Sequence, residues 1–123
     1  MLIGVLSDTH GLLRPELLPA LAGVDHILHA GDVGDPAILT ELSRIAPVTA
    51  IRGNIDTHGP NSLLPTTEAI ELAGCLIYML HSLDDLDLNP GSAGPRRFNL
   101  PITYALLRVH NSQPQAEILH LLP

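Results

Sequence analysis

The sequence predicts an α/β fold whose first half is built around a parallel sheet. Three observations support this prediction. Strand-like and helix-like segments alternate up to about residue 56, each predicted strand of that half ends in a polar loop, and the pattern changes to strands without obvious helices from Thr67 onward. Alternation of strands and helices is the arrangement that places parallel strands side by side.

The first strand is predicted over Leu2 to Leu6, a short apolar run typical of a strand that is buried on both faces. It ends abruptly in the polar stretch Ser7-Asp8-Thr9-His10-Gly11. Arg14 to Ala22 has a helical pattern of leucines, but Pro19 limits how much of it can form regular helix.

The second and third strands repeat this arrangement. His26 to Ala30 is followed by Gly31-Asp32-Val33-Gly34-Asp35-Pro36, where Asp35 is a predicted helix N-cap and Pro36 the first helical residue. Val48 to Ile51 ends at Gly53-Asn54-Ile55-Asp56. All three polar loops therefore follow the carboxyl ends of predicted strands.

The second half is predicted to be mainly β, with a turn over Asn111 to Gln115. The four predicted strands are Glu68 to Leu72, Leu76 to Leu80, Ile102 to Val109 and Glu117 to Leu121. At 123 residues the chain has the length of one domain, so residues 1–123 are expected to form a single unit.

Composition excludes several classes of function. With 46% apolar residues and 15% charged residues, the chain can bury an aliphatic core and is not disordered. A net charge of −7 and only six basic residues argue against a nucleic-acid or polybasic membrane surface. One cysteine, no leader-like start and no long apolar run predict a soluble, cytoplasmic protein, for which a homo-oligomer is possible.

The polar loops carry side chains that can bind a metal. Because ligands bind outside the carboxyl ends of strands in an open α/β sheet, Asp8, His10, Asp32 and Asn54 are expected to meet at one edge. His81, which follows the run Cys75 to Leu80, is a fifth candidate. Oxygen and imidazole donors without thiolates favour divalent ions such as Mn²⁺, Fe²⁺ or Zn²⁺.

Turns and helix caps use the same residue types, so each motif alone has a structural explanation. Turn chemistry accounts for a polar residue after a strand. It does not explain why the residues that follow successive strands are repeatedly ones able to bind a metal.

Four ordered motifs resemble those of the calcineurin-like metallophosphoesterases, nearest to the small bacterial and archaeal phosphodiesterases. They are Ser7-Asp8-Thr9-His10, Gly31-Asp32-Val33-Gly34-Asp35, Gly53-Asn54-Ile55-Asp56 and Asn89-Pro90-Gly91-Ser92. The resemblance covers nearly the whole chain and implies a four-layer α/β/β/α sandwich with two metal ions at the sheet edge.

The resemblance also implies a role for each candidate residue. Asp8 and His10 would hold one ion, Asp32 would bridge both, and Asn54 and His81 would hold the other. It implies a small phosphoester as substrate, most simply a phosphodiester, attacked by a metal-activated hydroxide. The two ions would be divalent transition metals, with Mn²⁺ preferred over Fe²⁺, Zn²⁺ or Ni²⁺.

Further residues receive supporting roles by resemblance. Asp56 would orient a ligand from outside the coordination sphere, although a turn cap is an equal alternative. Asn89 to Ser92 resembles a loop that closes over the site. Arg96 or Arg97 could place a donor near a phosphate.

The sequence departs from the family between Leu88 and Asn89. Family members carry a strand there that ends in Gly-His-x-His, whose two histidines complete the metal spheres, so about 30 residues are missing and five of seven ligands remain. Either the gene lacks this unit, or the sequence joins stretches that the natural protein separates, which we favour. Ile55 also replaces a histidine that often protonates the leaving group in this superfamily, which indicates either substrates with better leaving groups or protonation through water.

Three other functions fit the sequence less well. A non-catalytic scaffold of the same fold is favoured by the missing histidines, but it has no need for the five retained ligands. A phosphatase with Asp8 as nucleophile would want a second carboxylate where His10 stands. A dinucleotide-binding domain would need a Gly-x-Gly-x-x-Gly motif after the first strand.

Overall fold

A five-stranded mixed sheet forms the centre of the molecule in the computed structural model, which describes residues 1–81, 93–94 and 102–122. In chain order the elements are β1 (Leu2–Leu6), α1 (Leu17–Ala20), β2 (His26–His29), α2 (Pro36–Ser43), β3 (Val48–Ala50), a 3₁₀ turn (Pro60–Leu63), β4 (Thr67–Leu72), β5 (Cys75–Leu80), β6 (Ile102–His110) and β7 (Gln113–Leu122). Every strand predicted from the sequence is present.

The order of the central sheet is β3-β2-β1-β6-β7, and β4 and β5 form a separate two-stranded sheet. The first three strands are parallel, with Val5 opposite Leu28 and Leu28 opposite Thr49. The C-terminal hairpin joins this parallel half through β6, which runs antiparallel to β1. The α/β class predicted from the sequence is therefore confirmed, with a mixed central sheet.

Two apolar clusters lie on opposite faces of the central sheet. On one face, Leu6 and Ile27 pack with residues of the helical segments such as Leu17 and Leu42. On the other face, Ile3 and other strand residues pack against the smaller sheet, which contributes the buried side chain of Met79. Within the described residues this gives three of the expected layers, in the order helices, central sheet and second sheet.

Local sequence explains the two helix lengths. The Oδ1 atom of Asp35 accepts a hydrogen bond from the amide of Ala37 at 2.9 Å, so Asp35 caps α2 and Pro36 begins it as predicted. The helix α1 has only four residues, 17–20, and includes Pro19. A proline cannot donate the backbone hydrogen bond that a longer helix would need.

The turn between β6 and β7 is shorter than its composition indicates. Only Asn111 and Ser112 lie outside the strands, and both have positive φ values, 52° and 60°. This is the backbone of a two-residue hairpin turn whose twist matches that of the flanking strands. Residues 113–115, predicted as turn, belong to β7, where Pro114 is accommodated because β7 is an edge strand.

Several expectations fall on residues that the structure does not describe. They include the Leu88–Asn89 junction and the candidates Asn89, Ser92, Arg96 and Arg97. The extent of the single domain over residues 1–123 likewise stays a prediction. No helix in the described part of the chain is long and apolar enough to cross a membrane.

Candidate metal centre

The loops after β1 and β2 lie side by side at one edge of the central sheet. Their backbones continue the parallel pairing beyond the strands, because the amides of Asp8, His10 and Gly11 donate to the carbonyls of Gly31, Asp32 and Val33, each at 2.9 Å. The two loops therefore form one braced unit. This brings the side chains of Asp8, His10 and Asp32 to the same place.

One carboxylate oxygen of Asp32 lies at the centre of the group. Its Oδ2 atom is 3.2 Å from Nε2 of His10 and 3.3 Å from Nε2 of His81. The other oxygen, Oδ1, accepts a hydrogen bond from the amide of Ile55 at 3.1 Å. That bond fixes the carboxylate rotation, so Oδ2 faces both imidazoles.

Asp8 completes the cluster on the His10 side. Its Oδ1 atom is 3.4 Å from Nε2 of His10, while Oδ2 accepts a 2.6 Å hydrogen bond from the hydroxyl of Ser7. One donor atom each from Asp8, Asp32 and His81 lie within 4.8 Å of one another. Two carboxylates and two imidazoles thus converge in a small volume.

A hydrogen bond determines which nitrogen of His81 faces the cluster. Its Nδ1 atom lies 2.8 Å from the carbonyl oxygen of Ala30. Since a carbonyl can only accept, Nδ1 carries a proton, and Nε2 is the ring nitrogen that faces Asp32. A histidine that ligates a metal is commonly fixed in this way by its other ring nitrogen.

The distances between these donors fit a shared metal. Two ligands about 2.1 Å from one ion lie roughly 3.0 to 3.4 Å apart when the angle at the ion is between about 90° and 109°. The pairs His10–Asp32, His10–Asp8 and His81–Asp32 are separated by 3.2, 3.4 and 3.3 Å. The donor set, with oxygen and imidazole and no thiolate, also suits divalent transition metals.

The backbone at three of these residues adopts an uncommon conformation. Asp8, His10 and Asp32 have φ values of 59°, 47° and 56°, in the left-handed region that residues other than glycine rarely occupy. Such conformations cost free energy and occur preferentially at functional sites. Here they turn the side chains towards each other immediately after the strands end.

Two glycines leave the space that the cluster needs. A Cβ atom at Gly31 would lie 2.8 Å from Nδ1 of His81, so any larger residue would displace that ring. A Cβ atom at Gly53 would overlap the backbone and side chain of Asp32. Glycine at both positions is therefore a steric requirement of the site.

Asp56 holds the loop after β3 against the loop after β2. Its buried carboxylate accepts hydrogen bonds from the amides of Val33, Gly34 and Gly53 at 3.1, 3.0 and 2.9 Å. Burial by itself would raise the pKa of Asp56, but these three donors outweigh it and lower the pKa below its usual value. Asp56 thus contacts the backbone beside Asp32 and Asn54.

His29, at the end of β2, is fully buried and contacts the loops after β1 and β2. Its Nδ1 accepts from the amide of Gly31 at 3.2 Å, so Nε2 carries the proton and donates to the Thr9 hydroxyl at 3.1 Å. That hydroxyl donates in turn to the carbonyl of Val33. Burial lowers the pKa of His29 to about 4, and the ring is a neutral structural link between the strand and the loops.

Asn54 lies at the same edge but is exposed, and it lines an open cleft next to His81. The cleft has a volume of about 630 Å³ and is also lined by Arg52, Thr57 and Tyr78. No pattern in the sequence indicates this cleft, because its residues come from separate segments that meet only after folding. Of the five predicted ligands, four form one connected cluster, in which His10 contacts Asp8 and Asp32, and Asp32 contacts His81. Asn54 lies beside His81 at the cleft.

Comparison with known proteins identifies the family to which the chain is similar. Residues 1–88 match the model of the calcineurin-like phosphoesterase superfamily domain. A probable metallophosphoesterase of Methanothermobacter thermautotrophicus is 51% identical over 63 residues, or 47% of this chain and 37% of the relative. A second, from Methanocaldococcus jannaschii, is 41% identical over 86 residues, or 66% of this chain and 43% of the relative. The matched part spans less than half of either relative.

Solved structures show the same fold at low sequence identity. Vacuolar protein sorting 29 from Chaetomium thermophilum superposes with a TM-score of 0.74 at 15% identity, covering 97% of this chain and 92% of that one. The protein of the same name from Entamoeba histolytica, in complex with Zn²⁺, gives a TM-score of 0.70 at 18% identity, covering 99% and 100%. With the family model matching more than half of its length, the chain belongs to the calcineurin-like phosphoesterase superfamily.

Proposed function

We propose that this chain hydrolyses phosphoesters, specifically small phosphodiesters, with two divalent transition metal ions, Mn²⁺ being the preferred metal. The observation that carries the proposal is the single Asp32 oxygen that faces both His10 and His81 at 3.2 and 3.3 Å. An oxygen between two imidazoles is suited to bridge two ions. Asp8 and His10 would then hold one ion, and His81 with Asn54 the other.

The ions, when bound, would supply the positive charge that activates water and neutralises the phosphoryl oxygens. The protein's own contribution is to fix the donors. Ser7 orients Asp8, the amide of Ile55 orients Asp32, and Ala30 selects the tautomer of His81. Because these groups are held before the substrate arrives, little reorganisation is needed at the reacting phosphate.

Activity with an added metal tests the proposal. Protein freed of metal with a chelator should hydrolyse bis(p-nitrophenyl) phosphate after addition of Mn²⁺, and Asp32→Ala should abolish this activity. Asp35→Ala is the matched control, since Asp35 is an exposed carboxylate that caps α2 outside the cluster. The absence of turnover by the unaltered chain with Mn²⁺, Fe²⁺, Zn²⁺ and Ni²⁺ would overturn the enzymatic proposal.

A non-catalytic scaffold of the same fold is the second candidate. It is favoured by the missing Gly-His-x-His segment, which leaves the chain with five of seven expected ligands. Elemental analysis separates the two candidates, because a scaffold has no need for metal, whereas a dinuclear enzyme should bind two equivalents per chain. We also propose a cytoplasmic location and a small-molecule substrate, in keeping with the acidic net charge of −7.

The length of the natural protein bears on both candidates. The sequence corresponds to 13.1 kDa. If the natural chain carries the segment expected between Leu88 and Asn89, its mass should be higher by about 3 kDa, the size of one strand-containing unit. Mass spectrometry of protein purified from its native source measures this difference directly.

A further inference from the structure

The cleft beside the metal cluster is formed by two parts of the chain. One wall is the loop after β3, with Arg52, Asn54 and Thr57, and the floor is the outer face of the smaller sheet, with Tyr78 and Leu80. His81 lies at the boundary between the cleft and the metal cluster. A molecule whose phosphate reached the cluster would therefore extend along this cleft.

The charge of the cleft differs from that of the chain as a whole. The chain has a net charge of −7, yet no carboxylate lines the cleft among the described residues. The ionisable lining groups are the Arg52 guanidinium, the His81 imidazole and the Tyr78 phenol, and the other polar groups include threonine hydroxyls. An anionic, hydrogen-bonding ligand is compatible with this lining, and an acidic wall that would repel it is absent from the described part.

Tyr78 offers a largely exposed aromatic surface on the floor of the cleft. It is 58% exposed. The residue opposite Tyr78 on the neighbouring strand β4 is Ala69, whose methyl group is too small to cover a phenol ring. A planar group can stack on a ring of this kind, and such stacking is sequence-tolerant and energetically useful in proteins that bind bases.

The size of the cleft sets a limit on the ligand. A volume of about 630 Å³ lies within the range of pockets that hold small organic molecules. It exceeds what a phosphate group alone would occupy. The cleft, which both His81 and Tyr78 line, therefore has room for the organic part of a small ester as well as its phosphate.

We propose that the cleft binds the organic part of the substrate, and that this part is a planar aromatic ester group stacked on Tyr78. The inference rests on the proposed phosphoesterase function and adds the substrate class to it. An aromatic alcohol is also a good leaving group, which fits a site with Ile55 where a proton-donating histidine often stands. No covalent step is added to the hydrolysis already proposed.

Binding without turnover is the first test. In protein labelled with ¹³C-tyrosine there are only two ring signals to follow, from exposed Tyr78 and buried Tyr104. Phenylphosphonate, a non-hydrolysable analogue of an aryl phosphate, should shift the Tyr78 ring signals upfield and leave those of Tyr104 in place. Methylphosphonate, which has the same anionic group but no aromatic ring, should not produce the shift. Equal shifts with both compounds, or none with either, would overturn the inference.

Kinetics with bis(p-nitrophenyl) phosphate is the second test. Tyr78→Ala should raise KM about 10-fold, as expected for the loss of one aromatic stacking contact, while Tyr78→Phe should retain a KM close to that of the unaltered chain. Leu76→Ala is the matched control, because Leu76 is exposed on the same face of β5 but does not line the cleft. An unchanged KM for Tyr78→Ala would contradict the inference.

The two tests separate this inference from the proposed function. Turnover with no effect of Tyr78→Ala would leave the phosphoesterase activity standing and remove the role of Tyr78. A Tyr78 shift specific to the aromatic compound, in a protein without turnover, would support the aromatic subsite and count against the enzyme.

Discussion

The Nδ1 atom of His81 lies 2.8 Å from the carbonyl oxygen of Ala30, and this bond ties the end of β5 in the smaller sheet to the end of β2 in the central sheet. His81, a candidate ligand that the sequence connects to the others only by resemblance, is thereby fixed in position by the backbone of the loop after β2. The same bond leaves Nε2 as the donor atom.

His81→Ala should therefore lower the affinity for Mn²⁺ by at least about 10- to 100-fold, because it removes both a ligand and a contact between the sheets. Isothermal titration of the metal-free protein measures the change. His120→Ala is the control, since His120 is exposed on β7. Equal affinities for the two variants would show that His81 holds no metal.

Asp56→Ala should lower the free energy of unfolding by about 2 to 4 kcal/mol, because three backbone amides lose their acceptor. Urea denaturation followed by circular dichroism gives this value. Asp35→Ala removes a single exposed cap and should cost about 1 kcal/mol. A cost for Asp56 no greater than that for Asp35 would be inconsistent with its role as a link between loops.

Stability should fall as the pH is lowered from about 6.5 to about 4. The pKa of His29 is 6.5 when unfolded and about 4 in the fold, so in this window the unfolded chain binds a proton that the folded chain does not. Above pH 6.5 His29 is neutral in both states and does not lower the free energy of unfolding. By pH 4 its protonation in the unfolded chain has lowered the free energy of unfolding by roughly 3 kcal/mol. Urea titrations across this range, with chelator present, measure the slope.

The variant His29→Gln should show a shallower pH dependence over this window, although it is expected to be less stable at neutral pH. His120→Gln should keep the original slope, because His120 is exposed. A slope that His29→Gln does not change would assign the pH dependence to other groups.

Gly53→Ala should destabilise the protein and weaken metal binding together, because the added methyl group would overlap Asp32. We expect a cost of about 1 to 3 kcal/mol, as for overpacking elsewhere, measured as a lower melting temperature. Gly59→Ala is a useful comparison, since Gly59 has a positive φ of 65° but an added methyl group there would meet no atom within 4 Å. Its backbone, with φ 65° and ψ −158°, lies in a region that is essentially restricted to glycine, so this change should cost about 1 to 3 kcal/mol through backbone strain but leave the metal affinity unchanged.

Much of the site could be predicted because its geometry follows from local rules. Apolar runs such as Leu2–Leu6 identify buried strands, and the ends of parallel strands meet at one edge, so Asp8 and Asp32 could be placed together before folding was considered. The N-cap at Asp35 follows from residue type alone.

The remaining features depend on contacts between distant segments. The position of β6 beside β1 joins residues about a hundred positions apart, and no local pattern specifies it. The orientation of Asp32 depends on the amide of Ile55, and the tautomer of His81 depends on Ala30. The cleft at Tyr78 depends on how the smaller sheet meets the loop after β3.

The bracing between the loops after β1, β2 and β3 has a consequence for how this fold tolerates change. The backbone bonds of Asp8, His10 and Gly11, and the bonds accepted by Asp56, all join residues within the first 56 positions. The C-terminal hairpin attaches to the opposite side of β1 from β2. The segment between β5 and β6 also contacts this unit, because the amide of Ala93 donates to the carbonyl of Ser7 at 3.1 Å. We therefore expect a change of length in that segment to leave the three loops in place only where this contact is kept.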